Sequence, residues 1–298
     1  MANDSASSSI VQIKMRRNQL HTPLRYPGGK TSLFNFFEKV IEKHGWQDVT
    51  YIEPYAGGAG AALSLLISGK VSSIVINDYD FAIYSFWQNI LEETDRFIET
   101  IRTTPVTIEE WERQKQVYKT CDEAKPFELG FATFYLNRTN RSGILSAGPV
   151  GGKSQGGLWK LDARYNKQKM IEKIRLISLY KESITVTNDD GVNTIRKYSE
   201  VPNTFFYVDP PYYLKGAILY LNSFTHEKHQ ELADTLNEHA DKKWLLSYDN
   251  VDPIKDMYMA HGFEPEIFSL SYSAHAKTRV GSEIMVFSEA IDKELLRD

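Results

Sequence analysis

The stretch "VTYIEPYAGGAGAALSLLISGK", Val49 to Lys70, passes from a short β-type run through a glycine-rich turn into an apolar helical run. Val49, Tyr51 and Ile52 are the β-branched and aromatic types that suit a pleated surface. A second strand follows at once in "SSIVINDYD", Ser72 to Asp80, and ends in polar residues. Downstream, "SITVTN", "TFFYVDP", "WLLSYDN", "EPEIFSLSYSA" and "SEIMVFS" read as further strands. Helical stretches such as "EKHQELADTLNEHA" and "DPIKDMYMAHG" lie between several of them. Strands alternating with helices predict a largely parallel sheet covered on both faces. The last two strands are joined only by "HAKTRVG", which predicts an antiparallel hairpin.

The interval from Phe86 to Tyr180 breaks the rhythm. It carries helical patterns ("TIEEWERQKQVYKT", "PFELGFATFYLN") and a glycine-rich loop ("SAGPVGGKSQGG") but no strong strand. We read it as an inserted, mainly helical lobe, residues 86–180, within a discontinuous domain made of 1–85 and 181–298. From Arg138 to Arg175 nine lysines and arginines face only Asp162 and Glu172. Such an imbalance suits phosphates, although the whole chain of 298 residues carries a net charge of −4. Residues 1–20 read as a loose arm. A composition of 42% hydrophobic and 25% charged residues describes a soluble globular protein, and no apolar run approaches the roughly 18 residues of a membrane span. A single cysteine, Cys121, excludes an internal disulfide and reads as a packed residue of the lobe. With no signal-peptide core at the start, the expected setting is cytoplasmic.

Three motifs carry chemistry. The turn "EPYAGGAG" lets a backbone approach a nucleoside-type ligand and opens a helix whose N-terminus is electropositive, yet it lacks the dinucleotide spacing. Asp78, at the end of the next strand, can accept hydrogen bonds from a ribose or can cap the following helix. In "NTFFYVDPPYYLKG", Asn203 to Gly216, two prolines stop the strand and hold Asp209 and Tyr212 in a stiff turn. Two lysine-bearing loops, "TPLRYPGGKTS" and "GPVGGKS", fail as Walker A motifs because Leu24 and Ala147 stand where glycine is required. His226 and His229 lie three apart on a helical stretch, but no acid constellation completes a zinc site, so no metal is expected.

In this order the segments resemble the Dam-type (D12 class) DNA adenine-N6 methyltransferases, from about His21 to Ser288. "RYPGGK", "EPYAGGAG", "NDYD", "FYLNRTNRSGI", "DPPYY", "NSFTHEKHQELADTL" and "KTRVGSEIMVFS" carry the resemblance. It implies a Rossmann-like α/β sheet with an inserted DNA-recognition lobe, S-adenosylmethionine as cofactor and double-stranded DNA as partner. It also leaves room for a cognate restriction endonuclease acting separately. It places Tyr26 and Lys30 on the cofactor, Tyr55, Ala56 and Gly57 around its methionine end, and Asp78 on its ribose. Asp209, Pro210 and Tyr212 would hold the adenine, with Asp209 also bordering the cofactor. In the recognition segment Arg138, Arg141 and Ser142 are candidate DNA contacts, with Arg141 the favoured base reader. Lys160, Arg164 and Lys167 are candidate phosphate contacts. Family members that read GATC carry aromatic-Asn-Gly-Leu-x-Arg where this chain has Arg141-Ser142-Gly143-Ile144-Leu145-Ser146, so the resemblance does not extend to that target.

The implied chemistry explains the proline-rich turn. The N6 lone pair of adenine is delocalised into its ring and is a poor nucleophile. If Asp209 and the Pro210 carbonyl accept the two N–H bonds, electron density is directed at the sulfonium methyl. Tyr212 would stack on a base flipped out of the duplex. N4-cytosine or RNA methyl transfer, or a DNA-binding protein without catalysis, are the alternatives.

Overall fold

The computed structural model describes residues 11–12, 21–25, 33–120, 123–214, 224–274 and 277–296. Its strands are β1 (Val11–Gln12), β2 (Thr50–Glu53), β3 (Ser73–Asn77), β4 (Ile184–Thr187), β5 (Thr204–Val208), β6 (Lys243–Asp249), β7 (Glu266–Ala274) and β8 (Lys277–Phe287). They form one sheet in the order β1-β7-β8-β6-β5-β2-β3-β4. β2 to β6 pair in parallel, whereas β8 is antiparallel to both β6 and β7. The largely parallel sheet and its C-terminal hairpin are those the sequence predicts. Two details differ. "HAKTRVG" is mostly strand, because the β7–β8 ladder continues to Ala274 opposite Lys277. Val11 and Gln12, expected in a loose arm, pair in parallel with Phe268 and Ser269. The outer edge of β7 offers unpaired backbone groups, and a short extended segment satisfies some of them.

Both sheet faces are buried, so the central strands read as unbroken apolar runs. The strand period of two divides β5 cleanly. Phe205 and Tyr207 enter one core, whereas Phe206 and Val208 enter the other. The first core is roofed by α1 (Phe34–Lys43), α2 (Gly60–Ile67), α3 (Phe81–Glu92), α4 (Thr94–Thr103), α6 (Pro126–Thr139) and α7 (Lys167–Ser178), with α5 (Ile108–Thr120) packed outside on α6. The second is covered by α8 (Gly191–Ser199), α9 (His226–Glu238) and α10 (Asp252–Ala260). Pro126 and Pro253 stand in the first turns of α6 and α10, where their missing N–H has no partner to lose.

Helices α3 to α7 fill the interval between β3 and β4. Phe86, Phe97, Phe127, Phe131 and Phe134 form a chain of ring contacts that joins α3, α4 and α6. Those rings belong to the same continuous core as Ile74 and Phe205 of the sheet. The lobe is thus seated on the sheet by apolar burial. Among the described residues no helix is long and apolar enough to cross a membrane.

Candidate active site

Chain order decides where a ligand can sit. β2, β3 and β4 step outward in one direction, and β5 returns to the other side of β2. Connections leaving the carboxyl ends of β2 and β5 therefore diverge and leave a crevice between them, the usual binding place in such sheets. The "EPYAGGAG" turn leaves β2 there and "DPPYY" leaves β5 there.

The β2 turn is tightly determined. Gly57 has φ of 48° and Ala59, the residue before α2, has φ of 45°, so the chain reverses through left-handed positions. The Ala56 N–H donates to the Asn77 carbonyl at 2.9 Å and the Gly57 N–H to Asp78 Oδ2 at 2.9 Å. The indole N–H of Trp87 donates to the Gly57 carbonyl from beneath. Asn77 is fully buried and joins three connections: its amide donates to the Pro54 and Asp189 carbonyls, and its oxygen accepts from Thr187 and the Asp189 N–H. Asp78 does not cap α3, because Asp80 does so by accepting from the Ala82 N–H. Asp78 Oδ1 instead accepts the Asp80 N–H. Burial, then the neighbouring Asp80 carboxylate, push the Asp78 carboxyl up to about 7, against two backbone N–H donors. Tyr55 leans on Gly191 at the start of α8, where an added Cβ would come within 2.3 Å of its ring. Its ring also meets Phe224 edge-on.

Glu53, at the end of β2, is buried, and its Oε1 accepts the Ala62 N–H of α2 at 3.0 Å. Burial lifts its carboxyl to about 8, with Asp209 adding to the rise and the Ala62 N–H opposing it. Glu53 is thus mainly protonated at neutral pH.

The "DPPYY" turn is held from β6. Asp249, 5% exposed, accepts the Tyr213 N–H at 3.0 Å and the Leu214 N–H at 3.1 Å through its two oxygens. Ser247 Oγ donates to Asp209 Oδ1 at 2.8 Å. Asp209 and Tyr212 are half-buried and Pro210 is buried. The Tyr212 ring lies 6.3 Å from that of Tyr248, tilted by 38°. Tyr248 in turn has its hydroxyl 2.6 Å from His229 Nδ1. Burial, then the neighbouring His226, lower the His229 pKa to about 4, so the ring is neutral. His229 also packs against Tyr213 and Phe224, and the Tyr213 hydroxyl reaches His226 Nδ1 at 3.1 Å. The two histidines brace the aromatic turn.

In the basic segment the cations divide. Arg141 and Ser142 are exposed on the short 3-10 turn that follows α6. Gly143 in that turn has φ of 78°, and a Cβ there would meet the Arg25 carbonyl at 2.4 Å, so only glycine lets the turn rest on residues 21–25. Asn137 stitches the same contact by accepting the Arg25 N–H and donating to the Arg25 and Gly143 carbonyls. Arg138 is a correction to the expected DNA contacts. It is 9% exposed, and its guanidinium donates to the Pro23 and Arg164 carbonyls. Burial, then Arg25, lower its pKa to about 10. Lys167, half-buried, donates from its ammonium to the Arg102 and Thr104 carbonyls at the C-terminus of α4, where the helix dipole favours a cation. Lys160 and Arg164 remain exposed, with Lys160 donating to the Gln155 carbonyl and Arg164 standing 6.0 Å from the exposed Trp159 ring. Tyr26, Lys30 and Cys121 lie outside the described residues.

Residues 26–271 match the family described as D12 class N6 adenine-specific DNA methyltransferase. The chain belongs to this family. One relative, "Modification methylase LlaI" of Lactococcus lactis subsp. lactis, is 22% identical over 67% of this chain and 37% of its own length. The chain thus spans little more than a third of that protein. Among solved structures, the rRNA methyltransferase aviRa of Streptomyces viridochromogenes matches with a TM-score of 0.36 and 11% identity, over 89% of this chain and 87% of its own. Protein LPL1258 of Legionella pneumophila str. Philadelphia 1 matches with a TM-score of 0.35 and 10% identity, over 90% and 88%. Likenesses that low add nothing to the strand order above.

Within this D12 chain, four buried residues beside the two strand-end turns give little sign of their place in the sequence: Glu53, Tyr207, Ser247 and Asp249. Asp249 carried a readable signal, since "SYDN" ends a strand in an acid as "VDPP" does. Ser247 and Tyr207 carried none, because a hydroxyl inside an apolar run looks like core.

Proposed function

We propose that this chain transfers a methyl group from S-adenosylmethionine to N6 of adenine in double-stranded DNA. The observation that carries the reading is the "DPPYY" turn braced at the carboxyl end of β5, beside the glycine turn of β2, in a D12 chain. The crevice fits the cofactor on its own terms: Gly57 brings bare backbone to the ligand, and Asp78 offers a half-buried carboxyl at the next strand end. Asp78 would take the ribose, and Tyr55, Ala56 and Gly57 the methionine end; the family resemblance adds Tyr26 and Lys30 as cofactor contacts. When bound, S-adenosylmethionine supplies an electrophilic methyl on sulfur.

Asp209 and the Pro210 carbonyl would accept hydrogen bonds from the two N6–H groups, hold the amine in line with that methyl and localise its lone pair. Tyr212 would stack on the purine, a contact worth roughly 1–3 kcal/mol per base. The amine is buried in a duplex, so the adenine would be flipped into the crevice. The helical lobe, residues 86–180, would read the target, with Arg141 and Ser142 at the bases and Lys160 and Arg164 on phosphates. The Lactococcus relative is named a modification methylase. We extend that role to this chain, as the partner of a separately acting restriction endonuclease.

The test is methyl transfer from labelled S-adenosylmethionine to duplex DNA and to RNA, followed by mapping of the modified bases. Label on N6 of adenine in DNA, lost in Asp209→Ala with the fold kept, is the expected result. Label on cytosine or only on RNA, or wild-type turnover by Asp209→Ala, would refute the reading.

A further inference from the structure

Tyr207, Asp209 and Ser247 share one face of two neighbouring parallel strands. Tyr207 pairs with Leu245 and Val208 with Leu246, so one step further Ser247 comes level with Asp209. The strand period of two puts Tyr207 and Asp209 on the same side. Ser247 Oγ donates to Asp209 Oδ1 at 2.8 Å, and the Tyr207 hydroxyl lies 2.6 Å from Ser247 Oγ. Because the serine proton goes to the carboxylate, the proton between phenol and serine belongs to the phenol. The donors therefore run one way, from Tyr207 through Ser247 to Asp209.

Packing alone does not call for these hydroxyls. Ser247 is fully buried and Tyr207 nearly so, and phenylalanine with alanine would fill almost the same space. Replacing both partners of a buried hydrogen bond by apolar groups is often close to neutral for stability. The carboxylate does have a need. The last torsion of an aspartate is broad, so its rotamer does not set the plane of its oxygens. One oxygen pinned by a serine sets that plane, and a phenol behind the serine fixes the serine rotamer and strengthens its donation. Burial, then the Asp209 charge, hold the Tyr207 phenol well above its usual pKa, so the donor keeps its proton.

We propose that Ser247, backed by Tyr207, is a positioning residue that turns the Asp209 carboxylate toward the adenine amine; this rests on the adenine-methyltransferase reading above. The relay acts on the transition state and not on substrate capture. The test is steady-state methyl transfer by wild type, Ser247→Ala and Tyr207→Phe, with cofactor affinity by calorimetry and thermal unfolding on the same preparations. Ser247→Ala should lower kcat about 10- to 100-fold, in the range that misplacement of a reacting group produces, and Tyr207→Phe roughly threefold to tenfold. DNA KM and cofactor Kd should stay near wild type in both, with Tm lowered by about 2–6 °C where a buried partner is left unpaired. Tyr207→Phe, which keeps its shape, decides the matter if Ser247→Ala does not fold. A kcat within about threefold of wild type in the folded variants, or a Tm loss with unchanged kcat, overturns the relay alone. No transfer to adenine by wild type removes the underlying reading, and the relay with it.

Discussion

Asp249 gives the sharpest prediction, because its whole role is visible in two hydrogen bonds. Its carboxylate accepts the N–H groups of Tyr213 and Leu214, the residues immediately after Tyr212, at 3.0 and 3.1 Å. Hydrogen bonds to a charged group contribute about 1.5–3 kcal/mol each. Asparagine retains one acceptor for two donors, so Asp249→Asn should forfeit about 2 kcal/mol. For a chain of this size about 2 kcal/mol corresponds to a Tm decrease of roughly 4 °C. If the loosened turn lets the Tyr212 ring and Asp209 drift, the same energy in the transition state is about a 30-fold loss of kcat. Cofactor affinity should hold, because Asp78 and the β2 turn lie on other elements. The assay pairs thermal unfolding with single-turnover methyl transfer on a duplex carrying the mapped site. Asp249→Asn with wild-type Tm and wild-type rate would show that the two N–H groups do not depend on this carboxylate.

The other expectations concern charge. Glu53 is raised to about 8 in the folded protein against an ordinary value near 4.5, so the native state holds a proton that the unfolded chain has lost between those limits. Its contribution to stability therefore falls as pH rises from about 4.5 through 8, and Glu53→Gln should gain on wild type by on the order of 2–3 kcal/mol between pH 6 and 9 in denaturant titrations. Equal slopes for the two proteins would contradict this. With its carboxyl pushed up to about 7, Asp78 should bind ribose hydroxyls better as it ionises, so cofactor affinity should tighten roughly tenfold from pH 6 to pH 8, and Asp78→Asn should flatten the profile in calorimetry. Arg141→Ala should relax one position of the target by about 1–3 kcal/mol in a methylated substrate library. Arg138→Met should lower Tm and leave sequence preference unchanged; the reverse pattern would exchange their roles.

Some of this protein is written in short runs of residues. A strand followed by "PYAGGAG", a strand ended by "DPP", and polar ends on apolar runs are local signals, because strand period, turn geometry and proline stereochemistry act over a few residues. They sufficed for the sheet type and the hairpin. The direction of side chains was not local. Arg138 and Lys167 stand in a basic run and look alike with Arg141 and Arg164, yet two of the four are spent on backbone carbonyls. Which carbonyl a long cation finds depends on packing between α4, α6 and residues 21–25, and no spacing in the chain records it. Likewise Asp78 could read as the cap of the following helix, a place that Asp80 takes while Asp78 accepts the Gly57 N–H. The pairing of β6 beside β5 is a contact between segments about 40 residues apart, and it alone brings Ser247 and Asp249 to the "DPPYY" turn. Sequence therefore determined the turns at the strand ends, and tertiary structure decided which residues hold those turns still, because positioning is exerted across strands and not along them.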